Sequence, residues 1–134
     1  MLDVSASALS AYRTRMDVIS NNTANALTTR DASGRSVPYR RMVALFAPGA
    51  AGLNGQGVRV SEVIADKSPF KKVYDPTHPD AVQTGDDKGY VYYPNVEPVV
   101  EMVDMIAATR AYEANVTAYE AGKSIIGSAL RLIA

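Results

Sequence analysis

The chain contains no cysteine and no tryptophan, and only one histidine and two phenylalanines among its 134 residues. Without cysteine there is no disulfide, no thiolate metal site and no thiol nucleophile. The lone histidine, His78, leaves a single candidate base of the usual kind. Scarce aromatic bulk combined with abundant alanine predicts thin, closely packed helices rather than a large aromatic core. A net charge is missing too: 14 basic and 14 acidic residues cancel, so the positive footprint of a nucleic-acid binder is absent. The most apolar run, VVEMVDMIAA, is broken by Glu101 and Asp104, which argues against a membrane span. The start, MLDVSASALS, has neither the basic region nor the apolar stretch of a secretory signal peptide. By composition the chain reads as one soluble domain.

Helical periodicity is concentrated at the two ends. Over 2–27, Leu2, Leu9 and Met16 recur at seven-residue spacing, with Tyr12 and Ile19 three residues after Leu9 and Met16, and Ala6, Ala8 and Ala11 between them. Over 95–134, Met105, Tyr112, Tyr119, Ile126 and Ile133 repeat at seven without a miss. Beside them runs a second row of small or compact residues, Ala108, Asn115, Gly122 and Ala129. A seam of large residues flanked by small ones permits close approach of another helix. Asn95 is the expected N-cap, with Pro98 tolerated in the first turn. Such a helix approaches ~55 Å, too long for the core of a small globule.

The middle is different in kind. Six of the seven prolines and most of the glycines fall between residues 36 and 94. YRRMVALF, GVRVSEVI, FKKVY and GYVYY read as short strands. PGAAGLNGQG reads as a flexible loop and DPTHPDA as a proline-fixed turn. Fewer than about 60 residues of short strands make only a marginal core alone. The expected fold is therefore α+β, with long N- and C-terminal helices pairing as a coiled-coil-like core around a small β-rich insert. The segments are 1–30, the N-terminal helical part; 31–94, the insert; and 95–134, the C-terminal helix.

Chemistry is sparse. His78 stands among Asp75, Asp80, Asp86 and Asp87, a metal-ligand set in type. Two prolines bracket it in a loop, so Asp75 and Asp80 are expected to bond local backbone N–H groups instead. No G-x-S-x-G elbow and no phosphate loop is present. The four arginines from Arg30 to Arg41 read as a solvated loop and strand face. No enzyme, cofactor or metal site is expected. The helices, which are not consecutive, need partners: each other, other copies, or other proteins. A stand-alone helical adaptor binding one partner helix is the alternative.

The motifs resemble one family. SALSAYRTRMDVISNNTANALTT (7–29) and EMVDMIAATRAYEANVTAYEAGKSIIGSAL (101–130) are similar to the two terminal signatures of flagellar rod, hook and junction proteins. GVRVSEVIADKSPFKKVYDPTHPDA and GYVYYPNV resemble a proximal-rod member of that family. Asn21, Asn22, Ala24 and Asn25 match the first signature; Arg110, Tyr112, Glu113, Ala114 and Asn115 match the second. Thr23 and Leu27 depart from it, since Ile or Leu is common at the first position and a polar residue at the second.

The resemblance implies a structural subunit of the flagellar basal body, exported through the type III apparatus without a cleaved signal. Its terminal helices would stack with those of other copies and of other rod proteins around a channel, inside the surrounding basal-body rings. No nucleic acid or membrane insertion is implied. Three asparagines in the last turns of one helix are unusual, because Asn is a mediocre helix former. They are expected at the assembly contact, their amides fixing register where apolar seams would slide. The expected interface comprises Leu9, Tyr12, Met16, Ile19, Asn21, Asn22, Asn25, Met105, Tyr112, Asn115, Tyr119, Ile126 and Ile133.

Overall fold

A computed structural model describes all residues, 1–134. Helix α1 spans Leu2–Ala24 and helix α2 Pro98–Ile133, with strands β1 Met42–Pro48, β2 Val58–Ala65, β3 Lys71–Tyr74 and β4 Tyr90–Tyr93 between them. This is the α+β arrangement of two terminal helices around a strand insert. The strands form two separate antiparallel hairpins, β1–β2 and β3–β4. In the first, Met42 faces Ala65 and Pro48 faces Val58, with a bulge between Leu45 and Phe46. In the second, Lys71 faces Tyr93 and Tyr74 faces Tyr90.

The two helices pack against each other in antiparallel sense. Leu2 lies against Gly122, the Thr109 hydroxyl is 3.7 Å from the Met16 sulfur, and Asn22 bonds Glu101. The deepest residues of α2 are Glu101, Ala108 and Gly122, each seven residues from the next or separated by the half-buried Asn115. On α1 they are Ser5, Ala8, Ala11, Ile19 and Asn22. The buried centre of the pair is therefore the row of small residues, not the row of large ones expected from periodicity. The reason is geometric: backbones meet closest where side chains are smallest, and large side chains straddle the contact. A Cβ added at Gly122 would come 2.9 Å from the Leu2 side chain.

The large row has an uneven fate. Met105 and Tyr112 are half-buried, Tyr119 sits at the edge of exposure, and Ile126 and Ile133 are 48% and 84% exposed. The cause is length, because α2 has 36 residues and α1 only 23. Only 13 of the 134 residues are buried, too few for a core that holds α2 along its whole length.

The first hairpin lies along α1. The Tyr12 and Phe46 rings meet edge to face at 5.2 Å, and the Arg15 guanidinium sits over the same Phe46 ring. The Val58 N–H donates to the Ser7 hydroxyl at 3.1 Å. Gly57, at φ +78°, makes that approach possible, since a Cβ there would meet the Ser7 oxygen at 2.6 Å.

Two expectations need correction. Helix α1 ends at Ala24 rather than residue 27: Asn25 is its C-cap, and 25–27 form a turn. Helix α2 is capped by Glu97, without a side-chain bond, and begins at Pro98. Asn95 points back into the insert instead, to the Arg41 N–H and the Asp66 carbonyl.

Close helix approach predicts that Ala108→Leu costs about 1–3 kcal/mol of stability by overpacking. The adjacent exposed Ala107→Leu should stay within about 0.5 kcal/mol. Urea unfolding of both variants checks this, and equal costs would contradict the small-residue row as the contact.

Candidate assembly interface

The end of α1, the start of β1, the chain leading into α2 and the first turns of α2 converge at one place. Asn22 is fully buried near the end of α1. Its Nδ2 donates to the Met42 carbonyl at 2.8 Å and to Glu101 Oε2 at 3.2 Å. Its Oδ1 accepts from the Met42 N–H at 2.9 Å and the Tyr39 hydroxyl at 3.0 Å. That uses the whole capacity of one amide, two donors and two acceptor positions. Glu101, also fully buried, takes the Arg41 guanidinium on its other oxygen. Arg41 reaches further, to Asp66 and Asp104 at 3.4 Å each. Asn95 closes the group: Oδ1 accepts the Arg41 backbone N–H at 2.8 Å, and Nδ2 donates to the Asp66 carbonyl at 3.1 Å. This is why Asn95 does not cap α2.

The electrostatics follow from that packing. Burial alone would weaken the proton affinity of Arg41, but hydrogen bonding and charge from Glu101, then Asp66, outweigh it and hold the guanidinium above its ordinary range. Burial, with the Glu101 charge adding to it, raises the Tyr39 hydroxyl. Asp66 is held low, first by the Ser68 hydroxyl and N–H and then by Arg41. No buried side-chain polar atom lacks a partner, so the node is complete within the chain.

The other expected interface residues are dispersed. Asn21 is exposed, with no bond from its side chain. Asn25 donates from Nδ2 to the Asn21 carbonyl at 2.9 Å and accepts the Thr28 hydroxyl at 3.1 Å, closing the end of α1. Asn115 bonds back to the Ala111 carbonyl on its own helix. Ile19 is buried, while Leu9, Tyr12 and Met16 are half-buried. Thr23 bonds the Ile19 carbonyl, and Leu27 is exposed. Of the three asparagines, Asn22 therefore works inside the subunit and Asn21 faces outward.

Exposed apolar side chains mark what the chain leaves uncovered. At the start of α2 these are Val99, Val100, Met102, Val103 and Ile106; at its far end, Ile125, Ile126, Leu130, Leu132 and Ile133. Apolar surface on this scale marks interaction sites.

The arginine patch is solvated only in its first half, at the exposed Arg30 and Arg35, while Arg40 and Arg41 are half-buried. Arg30 pairs with Asp80 and Arg35 with Asp31. Arg40 stacks on Phe70 at 4.1 Å, and Arg41 enters the node. Asp80 does not bond local backbone as expected. It accepts the hydroxyls of Thr29 and Ser36, so it ties the chain leaving α1 to the second hairpin. Asp75 does cap its own turn through the Thr77 N–H and hydroxyl. His78 Nδ1 accepts the Asp80 N–H, and no cluster of His, Asp and Glu here has the geometry to hold a metal ion.

Sequence reasoning missed Arg41, Glu101, Tyr39 and Asn95 as parts of one site. A signal existed for Glu101, which stands in the same seven-residue row as Ala108, Asn115 and Gly122. A carboxylate in a row of small contact residues must meet a donor.

Helices that keep apolar rows uncovered at both ends of α2, around a fully satisfied internal node, define a structural subunit built for assembly. Comparison with known proteins agrees. Residues 2–30 match the family described as "Flagella basal body rod protein". Residues 87–132 match "Flagellar basal body rod FlgEFG protein C-terminal". The flagellar basal-body rod protein FlgC of Borreliella burgdorferi is 48% identical over 98% of this chain and 95% of its own length. The FlgC proteins of Bacillus subtilis and Escherichia coli are 49% and 40% identical with the same coverage. The chain belongs to the family of flagellar basal-body rod proteins, structural components of the flagellar basal body. No helix is long and apolar enough to cross a membrane.

Asn22→Leu should cost about 3 kcal/mol, since it strands the Met42 N–H and the Tyr39 hydroxyl at ~1–3 kcal/mol each. Asn21→Leu, one residue away and exposed, should stay within about 0.5 kcal/mol. Thermal unfolding of the pair decides: similar losses would mean that the node does not hold the fold.

Proposed function

We propose that this chain is a mechanical subunit of the proximal part of the flagellar rod, with no catalytic turnover. It is exported through the flagellar type III apparatus and carries torque through helices packed against those of other copies and other rod proteins. Those helices line the export channel, and the β insert faces the neighbouring subunits and the surrounding rings. The observation that carries this reading is the apolar surface of α2, from Val99 to Ile106 and from Ile125 to Ile133, which the chain's own α1 leaves open. The family to which the chain belongs supplies the setting.

The uncovered residues of the expected interface, Tyr119, Ile126, Ile133 and Asn21, are the ones we assign to contacts between subunits. Asn25 adds a polar rim to that set through its half-exposed amide. Torque transmission needs joints that neither slide nor hinge. The buried contacts of Asn22 and Arg41 with Glu101 limit sliding within each helix pair, while large apolar residues remain to join one pair to the next.

Ile133 separates folding from assembly, because it is 84% exposed. Ile133→Asp should leave the unfolding midpoint unchanged and stability within about 0.5 kcal/mol. In cells that lack the natural protein, the same variant should fail to restore rods and swimming. Normal rods and swimming with Ile133→Asp would remove the far end of α2 from the assembly surface.

A further inference from the structure

The loop joining β1 to β2 closes on a tight turn, Leu53-Asn54-Gly55-Gln56. The Gln56 N–H bonds the Leu53 carbonyl at 2.9 Å, and both central residues have positive φ, 48° at Asn54 and 83° at Gly55. Those are the features of a type I′ turn, for which Asn-Gly is the favoured pair. Asn54 is the only non-glycine residue of the chain at positive φ. Turn geometry explains the choice of residues, but it also creates a chemical liability.

We propose that Asn54 is a site of spontaneous covalent modification, by cyclisation onto Gly55 and deamidation. The nucleophile is the backbone nitrogen of Gly55, whose N–H donates to no group in the chain. That nitrogen loses its proton to base and attacks Cγ of Asn54. A five-membered succinimide forms, and Nδ2 leaves as ammonia. Water then opens the ring at either carbonyl, giving aspartate or, with the main chain rerouted through the side chain, isoaspartate. The balance is amide plus water to carboxylate plus ammonium.

Local structure favours attack here and nowhere else among the asparagines. Asn54 is exposed, and no atom lies within 4 Å of where a Gly55 Cβ would stand. Four glycines between 49 and 57 give the loop the freedom to leave the left-handed turn for the geometry of attack. The other five asparagines, at 21, 22, 25, 95 and 115, are followed by residues with side chains, and four of them bond through their own amides. Modification would matter to the fold nearby. The same loop sets Gly57 against Ser7 of α1 and is held by Arg59, which donates to the Pro48 carbonyl at 3.0 Å. Isoaspartate adds a methylene to that turn, and either product adds a negative charge to a chain of zero net charge.

The test is incubation of the full chain at 37 °C across a pH series, followed by peptide mapping that separates Asn, Asp and isoAsp at each site. Conversion confined to Asn54, faster at higher pH, and abolished in a Gly55→Ala variant that keeps its circular dichroism, is the expected result. A synthetic peptide of 49–59 serves as the clock. An Asn54 still intact when the peptide has fully converted would overturn the proposal. So would equal conversion at the other asparagines, or undiminished conversion in Gly55→Ala.

Discussion

The contact between the Asn22 amide and the Glu101 carboxylate joins the end of α1 to the start of α2, and the start of β1 and the entry into α2 are built around it. Asn22 also brackets Met42 through both its N–H and its carbonyl, which starts β1 in the right register. Glu101 draws in Arg41, and the backbone of Arg41 holds Asn95, which sets the entry into α2. Both central side chains are fully out of solvent. The ion pair of Arg41 with the buried Glu101 is a weak source of net stability, because desolvation offsets most of its attraction. Its stronger effect is specificity. Two helices that meet along alanine, serine and glycine could slip by a turn at little cost, but a slip here would strand a buried carboxylate at ~3–5 kcal/mol.

That division of labour connects packing to function. Small residues bring the helices close and leave their large neighbours half-covered, and the polar node fixes the register that small residues cannot. What remains, the exposed apolar stretches at both ends of α2, is thereby held in a defined orientation for other subunits. The sheets contribute little core of their own: Ala81, Gly89, Val91, Pro94 and Val96 are the buried residues of the insert and its approach to α2. The insert is held instead at its margins, by Asn95, Asp66 and Arg41 on one side and Asp80 with Thr29 and Arg30 on the other.

Much of this was legible in the residues. The seven-residue repeats located both helices, and the alternating runs around VALF, RVSEV and YVYY located the strands, because side-chain periodicity reports backbone geometry directly. Which row of α2 would be buried was not legible, since large and small rows run side by side and only the partner's shape decides between them. Asn95 was misplaced for a related reason: its amide satisfies a cap or a neighbouring strand equally well, and long-range geometry chose the strand. The solvated reading of the arginines from 30 to 41 fits Arg30 and Arg35 and fails at Arg41, whose acidic partners Asp66 and Glu101 lie far away in sequence. Asn22 and Asn21 look alike in a motif and differ only in the direction each points.

Asn22, Glu101 and Arg41 act as one unit, and a double-mutant cycle measures that most directly. Asn22→Ala and Arg41→Met each remove one partner of the same buried carboxylate. Urea unfolding of the two single variants and the double gives their coupling. Non-additivity of about 1–3 kcal/mol is expected, because the second substitution strands a carboxylate the first has already compromised. Additivity to within about 0.5 kcal/mol would mean that the two contacts are independent, and that something other than this node sets the register of the helices.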